Sequence, residues 1–198
     1  MLAKLNRMIV EATDAFEEYE YSKTRAKTEQ FFWKEFCDYY LEIVKDRIYN
    51  PDKRGKAARQ AAQYGVYTGI NTVLKLMAPI MPHITEAVYQ EYFAKKEKCK
   101  SIHNSKWPVA DMKAINEEDE KIGDMVVSII SAVRKVKSEK NVSLKEPIKQ
   151  LVIECPKEQQ KLLETAFDDL AATTISQNIV FGKGEREVSA ELKIKVEF

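Results

Sequence analysis

FFWKEFCDYYLEIVKDRIY, residues Phe31 to Tyr49, is the stretch whose reading decides the fold. Three large aromatics open it, three tyrosines follow, and no Gly or Pro interrupts it. Phe32, Phe36, Tyr39, Ile43 and Asp46/Arg47 recur at a 3–4 residue step, as do Trp33, Tyr40 and Val44. That period, with so many large apolar residues, predicts a helix buried on a wide face, with Trp33 in the core. Lys34, Glu35, Asp38, Glu42, Lys45 and Asp46 fill the remaining turns. Ser22 is the expected N-cap after a turn at Tyr21-Ser22, and Asn50-Pro51 the expected stop.

Working outward, residues 2–20 place Leu2, Leu5, Ile9, Ala12, Phe16 and Tyr19 on one helical stripe. A third helix is expected over 56–77. Gly65 and Gly69 lie inside it at a cost of roughly 1 kcal/mol each against Ala, which close helix packing would explain. Pro82 suits the first turn of a fourth helix carrying Ile84, Val88, Tyr89, Tyr92 and Phe93. Residues 95–106 form a basic connection that Trp107-Pro108 is expected to plug back onto the bundle. A fifth helix over 117–140 turns Ile122, Val126, Ile129, Ile130, Val133 and Val136 inward. Its acidic start and basic end complement the helix dipole.

The period changes after Pro147. Leu151-Val152-Ile153 reads as a short buried strand, Lys157–Leu170 as a helix and Ile179-Val180-Phe181 as a second strand, with a turn at Gly182 and Gly184. From Val188 to Phe198 apolar and polar residues alternate, the pattern of a half-buried strand. The expected fold is mainly α: a helical bundle of about five helices over 1–142, followed by a small β-α-β-β subdomain over 143–198.

Composition narrows the function. The net charge of +1 argues against a uniformly basic nucleic-acid binder, so any such surface must be local. Cys37, Cys99 and Cys155 are far apart and odd in number, which indicates neither a zinc site nor a disulfide framework. A reducing, cytosolic location follows most simply. No apolar run approaches the ~20 residues of a membrane span. Met1 opens directly into an amphipathic helix, as in a piece of a longer chain.

Catalytic signatures are missing. There is no phosphate-cradling glycine loop, HExxH or nucleophile elbow. His83 and His103 have no ligand-spaced neighbours, and Glu117–Glu120 reads as a solvated helix start rather than a metal site. Basic residues instead fall into three clusters: Lys53, Arg54, Lys56 and Arg59 around Gly55; Lys95, Lys96, Lys98, Lys100 and Lys106 in the connection; and Arg134, Lys135, Lys137, Lys140, Lys145 and Lys149 around the end of the fifth helix. On a chain of near-zero net charge they mark segregated charge and an anionic partner. Val133 and Val136 point inward, so the basic residues of the fifth helix, Lys137 included, are expected to face solvent. Trp33, Phe36 and Tyr40 read first as core and alternatively as a stacking platform for unpaired bases.

Four stretches carry a resemblance: FFWKEFCDYYLEIVKDRIY, LKLMAPIMPHITEAVYQ (74–90), SIHNSKWP (101–108) and SAVRKVKSEKNVSLKEP (131–147). In that order they resemble the anticodon-binding domain of class I aminoacyl-tRNA synthetases, most of all the valyl-tRNA synthetases. The resemblance implies a fragment that grips the anticodon stem-loop of valine tRNA. Valylation with ATP and Mg²⁺ would be carried out by upstream catalytic and editing domains, in the cytoplasm. The HIGH and KMSKS signatures that bind ATP in this class are absent, so no catalytic residue and no cofactor is expected in the chain itself. Candidate tRNA contacts are Lys53, Arg54, Lys56, Arg59, Arg134, Lys135, Lys137, Lys140, Lys145 and Trp33. The alternative is a helical protein–protein interaction module without tRNA binding.

Overall fold

A helix over Leu2–Glu17 (α1) leads into one over Tyr21–Gln30 (α2), and α2 continues unbroken into the aromatic stretch. The structure, a computed structural model, describes residues 1–198. The junction differs from the expected Ser22 cap: α1 ends where Tyr19 turns left-handed (φ 61°), with Tyr19 N–H bonded to Phe16 O and Glu20 N–H to Ala15 O. These two bonds satisfy the last carbonyls of α1. Tyr19 is consequently exposed, Glu20 takes the N-cap position of α2, and Ser22 lies inside the helix.

Phe31–Tyr40 is helical but wider than an α-helix, closing with an i→i+5 bond from Leu41 N–H to Phe36 O; an ordinary helix resumes over Leu41–Tyr49 (α3). Such widening re-aims side chains. Phe32, Phe36 and Tyr40 form a ladder with ring centroids 6.2 and 5.7 Å apart. Trp33 is turned out and is 59% exposed, contrary to the core placement read from the 3.6 period.

Pro51–Arg54 (α4) is a single turn, and Lys56–Met77 (α5) follows as expected. A Cβ on Gly69 would stand 2.5 Å from Phe36 Cε2, and one on Gly65 would collide with the Tyr40 hydroxyl. The glycines of α5 are therefore notches for two successive rings of the ladder. Leu5, Met8, Ile9 and Ala12 of α1 complete this core with Phe31, Phe36 and Leu76.

Pro82–Tyr92 (α6) begins at its proline and is followed by Ala94–Glu97 (α7). Tyr89 and Phe93 are buried with Ala78 and Ile102, whereas Ile84 and Tyr92 of the same helix are 57% and 67% exposed. The Glu86 carboxylate accepts from Ser101 Oγ (3.0 Å) and Ile102 N–H (2.8 Å), fastening the start of SIHNSKWP. Trp107 closes it as expected: its indole N–H donates to Thr13 Oγ1 at 2.9 Å, and its ring lies 4.8 Å from Phe16.

The remainder is Glu117–Glu139 (α8), Ile148–Glu154 (β1), Lys157–Glu164 (α9), Phe167–Thr174 (α10), Ser176–Phe181 (β2), Arg186–Ser189 (β3) and Leu192–Glu197 (β4). The sheet order is β2-β1-β4-β3, with β1 parallel to β2 and antiparallel to β4. Leu151, Val152 and Ile153 are all buried, as an interior strand requires. Two expectations change. The helix over 157–170 is two helices divided at Thr165-Ala166. The alternating run 188–198 is a hairpin that turns at Ala190-Glu191, pairing Ser189 with Leu192; both strands keep alternation, which hides the turn.

Residues 1–41 and 47–117 make one compact unit, and residues 42–46 and 118–198 the other. The expected division at 142/143 placed the fifth helix in the bundle, whereas α8 belongs by packing to the unit with the sheet. Val126, Ile129, Ile130 and Val133 are buried along it. Lys137 near its end is buried too, and its contacts supply the reason given below.

Candidate nucleic-acid interface

In the first unit, the outward turn of Trp33 opens an apolar groove. It is a cavity of about 380 Å³ lined by Phe32, Trp33, Ile70, Leu74, Met81 and Ile84, among others. Met81 and Ile84 are 42% and 57% exposed. An exposed indole on a helix, flanked by thioether and aliphatic surface, offers a flat face on which an unpaired base can stack. Phe36 and Tyr40, the other members of the sequence-read platform, are taken up by the glycine notches. The basic turn lies elsewhere on this unit: Lys53, Lys56 and Arg59 are exposed and Arg54 is half-buried. Gly55 between them has φ 85°, a conformation that asks for glycine.

The second unit has a cavity of about 360 Å³ whose lining includes Lys45, Arg134, Leu144, Lys145 and Ile175, with the carboxylates of Glu42 and Asp46. Arg134 and Lys145, eleven positions apart, thus reach one site. Lys45 joins them from α3 and was missed by the sequence reading. It sits among the solvated charges of the aromatic stretch, salt-bridged to Glu42 at 2.5 Å, and no spacing signal links it to Arg134. Lys135 and Lys140 are exposed. Lys140 Nζ stands 4.6 Å over the Phe198 ring, a cation–π contact.

Lys137 does not face solvent. It is 1% exposed, and its ammonium donates to Leu144 O (2.9 Å), Glu146 O (2.6 Å) and Thr174 O (2.9 Å). An ammonium has three protons, and all three are engaged. Lys137 therefore leaves the set of candidate phosphate contacts. Burial lowers its pKa from the ordinary lysine value, opposed by the nearby Glu146 charge. The helical period around Val133 and Val136 misassigned it because the fold closes over its face of α8 from the 142–147 turn and the end of α10.

No group of three or more His, Cys, Asp or Glu is placed to hold a metal ion. His83 and His103 are exposed. No helix is long and apolar enough to cross a membrane.

Residues 1–153 match a family model described as the anticodon-binding domain of tRNA ligase. A valine–tRNA ligase of Wolbachia pipientis wMel is 35% identical over 192 residues, covering 96% of this chain and 21% of that protein. Those of Ehrlichia canis (strain Jake) and Thermococcus kodakarensis are 35% and 33% identical over all of this chain, which spans 24% and 22% of their lengths.

Proposed function

The chain belongs to the anticodon-binding domain family of tRNA ligases, and from that premise we propose that it holds the anticodon stem-loop of valine tRNA. In this reading it is one part of a valine–tRNA ligase. Catalytic and editing domains elsewhere in that protein would carry out ATP- and Mg²⁺-dependent valylation in the cytoplasm. The observation that carries the reading is Trp33: a large aromatic turned to solvent by the wide helical segment, on the unit that lies wholly within the family match. Bases would stack there. Exposed cations at Lys53, Lys56 and Arg59, and at Lys45, Lys135, Lys140 and Lys145, with the half-buried Arg54 and Arg134, would meet phosphates. Phosphate contacts set position and base contacts carry specificity.

Titration of fluorescent valine tRNA against the chain, with a tRNA of altered anticodon in parallel, tests this. Salt-dependent binding that weakens with the altered anticodon is expected. Equal affinity for both tRNAs would remove the anticodon from the reading. The chain alone should leave ATP–pyrophosphate exchange with valine at background, since the ATP-binding signatures are missing.

The largely apolar lining of the Trp33 groove favours a second reading, in which an apolar protein segment seats there. Full tRNA affinity in Trp33→Ala would support it.

A further inference from the structure

We infer that Lys137 is a positioning residue for the basic face of the second unit: its ammonium holds the 142–147 turn against the end of α10 and thereby keeps Arg134 and Lys145 on one cavity. The inference rests on the reading above that this face meets RNA phosphates. Lys137 organises the turn twice over. Its carbonyl accepts from Val142 N–H (3.0 Å) while Asn141, in the left-handed region at φ 54°, bonds its N–H to Ser138 O (3.0 Å). This is the paired pattern that ends a helix and reverses the chain. The side chain then reaches across to Leu144 O and Glu146 O in the same turn.

The third acceptor, Thr174 O, belongs to the last residue of α10, where the helix leaves its carbonyls unpaired and its dipole favours a cation. The next residue, Ile175, is left-handed at φ 58°, a conformation that a β-branched side chain adopts only under constraint. Its carbonyl accepts from Ile148 N–H at 2.9 Å, where β1 and β2 begin to pair. One ammonium thus ties together the end of α8, the turn and the strained entry to the sheet. Arg134, one turn before Lys137 on α8, and Lys145, between two of its carbonyl partners, line the same cavity as Lys137.

Removal of the ammonium has a specific consequence. Leu144 and Glu146 are exposed residues, so their carbonyls can turn to water. Thr174 is buried at 3% exposure and holds its place. The turn therefore loosens, and Lys145 leaves the cavity.

The test compares Lys137→Met, Lys145→Ala and the double variant in two measurements. Without RNA, hydrogen exchange at the Val142 and Glu146 amides should speed up in Lys137→Met and stay near wild type in Lys145→Ala. With RNA, the slope of log affinity against log salt should fall in Lys137→Met as far as in Lys145→Ala, by about 0.7–0.9 for one phosphate, and no further in the double variant. Unchanged exchange in Lys137→Met overturns the clamp whatever RNA does. Faster exchange with a wild-type salt slope overturns the link to RNA positioning. Additive slopes overturn it as well, since Lys137 would then act independently of Lys145. A wild-type chain that binds no tRNA removes the premise and the positioning role with it. If Lys137→Met does not fold, Lys137→Arg carries the comparison. Its planar fork cannot aim protons at three converging carbonyls, so an intermediate exchange rate is expected, and wild-type exchange overturns the clamp.

Discussion

The helical unit turns one of its tryptophans out to solvent, and the sheet-containing unit buries one of its lysines. Trp33 stands in solvent on the first; Lys137 is sealed inside the second. Both departures have local causes. A wide helical segment rotates Trp33 away from rings that the glycine notches claim, and a chain reversal folds carbonyls over Lys137. Burial at these two positions follows backbone geometry rather than residue type.

The largest effect should come from emptying a notch. Phe36 is 1% exposed at the centre of the aromatic ladder, so Phe36→Ala is expected to cost about 3–5 kcal/mol in denaturant unfolding. A cost under about 1 kcal/mol would mean that the ladder does not hold the first unit together. Filling a notch should cost less. Ala in place of Gly at a helical position normally gains about 1 kcal/mol. At Gly69 the added methyl meets Phe36, and overpacking of this kind typically costs about 1–3 kcal/mol. A net loss is therefore expected for Gly69→Ala, and a net gain would show that the ring can move aside.

Trp33→Ala sharpens the contrast, because stability should change by no more than about 0.5 kcal/mol, as at other surface sites. tRNA affinity should fall by about 1–3 kcal/mol if one base stacks there. Thermal unfolding and tRNA titration on the same preparation separate the two quantities.

The smallest effect is expected in acid. Glu86 works against desolvation, but bonds from Gln90, Ile102 and Ser101 hold its carboxyl below its ordinary value of 4.5. A carboxyl with a lowered folded pKa contributes fully above the unfolded value and loses that contribution as pH falls through the folded one. Stability of the first unit should therefore decline below about pH 4.5. Glu86→Gln should flatten that decline, and an unchanged profile would assign the acid sensitivity to other carboxyls.

Much of the architecture was legible in the sequence. The span of α5, the proline start of α6, the return of Trp107 to the bundle and the buried run in β1 follow from period, punctuation and composition. Gly65 and Gly69 announced close packing, although only the fold names Tyr40 and Phe36 as the rings received. What stayed hidden has physical reasons. A widened helical turn leaves no mark in a 3.6-residue period, so Trp33 was assigned to the wrong side. The hairpin in 188–198 preserves alternation across its turn. Lys45 reaches the cavity of Arg134 and Lys145 from nearly ninety residues away, and one-dimensional spacing cannot express that neighbourhood. Lys137 looked like its basic neighbours because its acceptors are backbone carbonyls, which every residue type carries.

The seat of Lys137 also makes it an internal standard for chemical mapping. Amine acylation requires a nitrogen that reagent can reach. Lys135, Lys140 and Lys145 are exposed, and Lys137 is 1% exposed with every proton committed to a carbonyl. In one digest, loss of label at the three outer lysines would record what covers them. Label appearing at Lys137 would record that the surrounding structure had come apart.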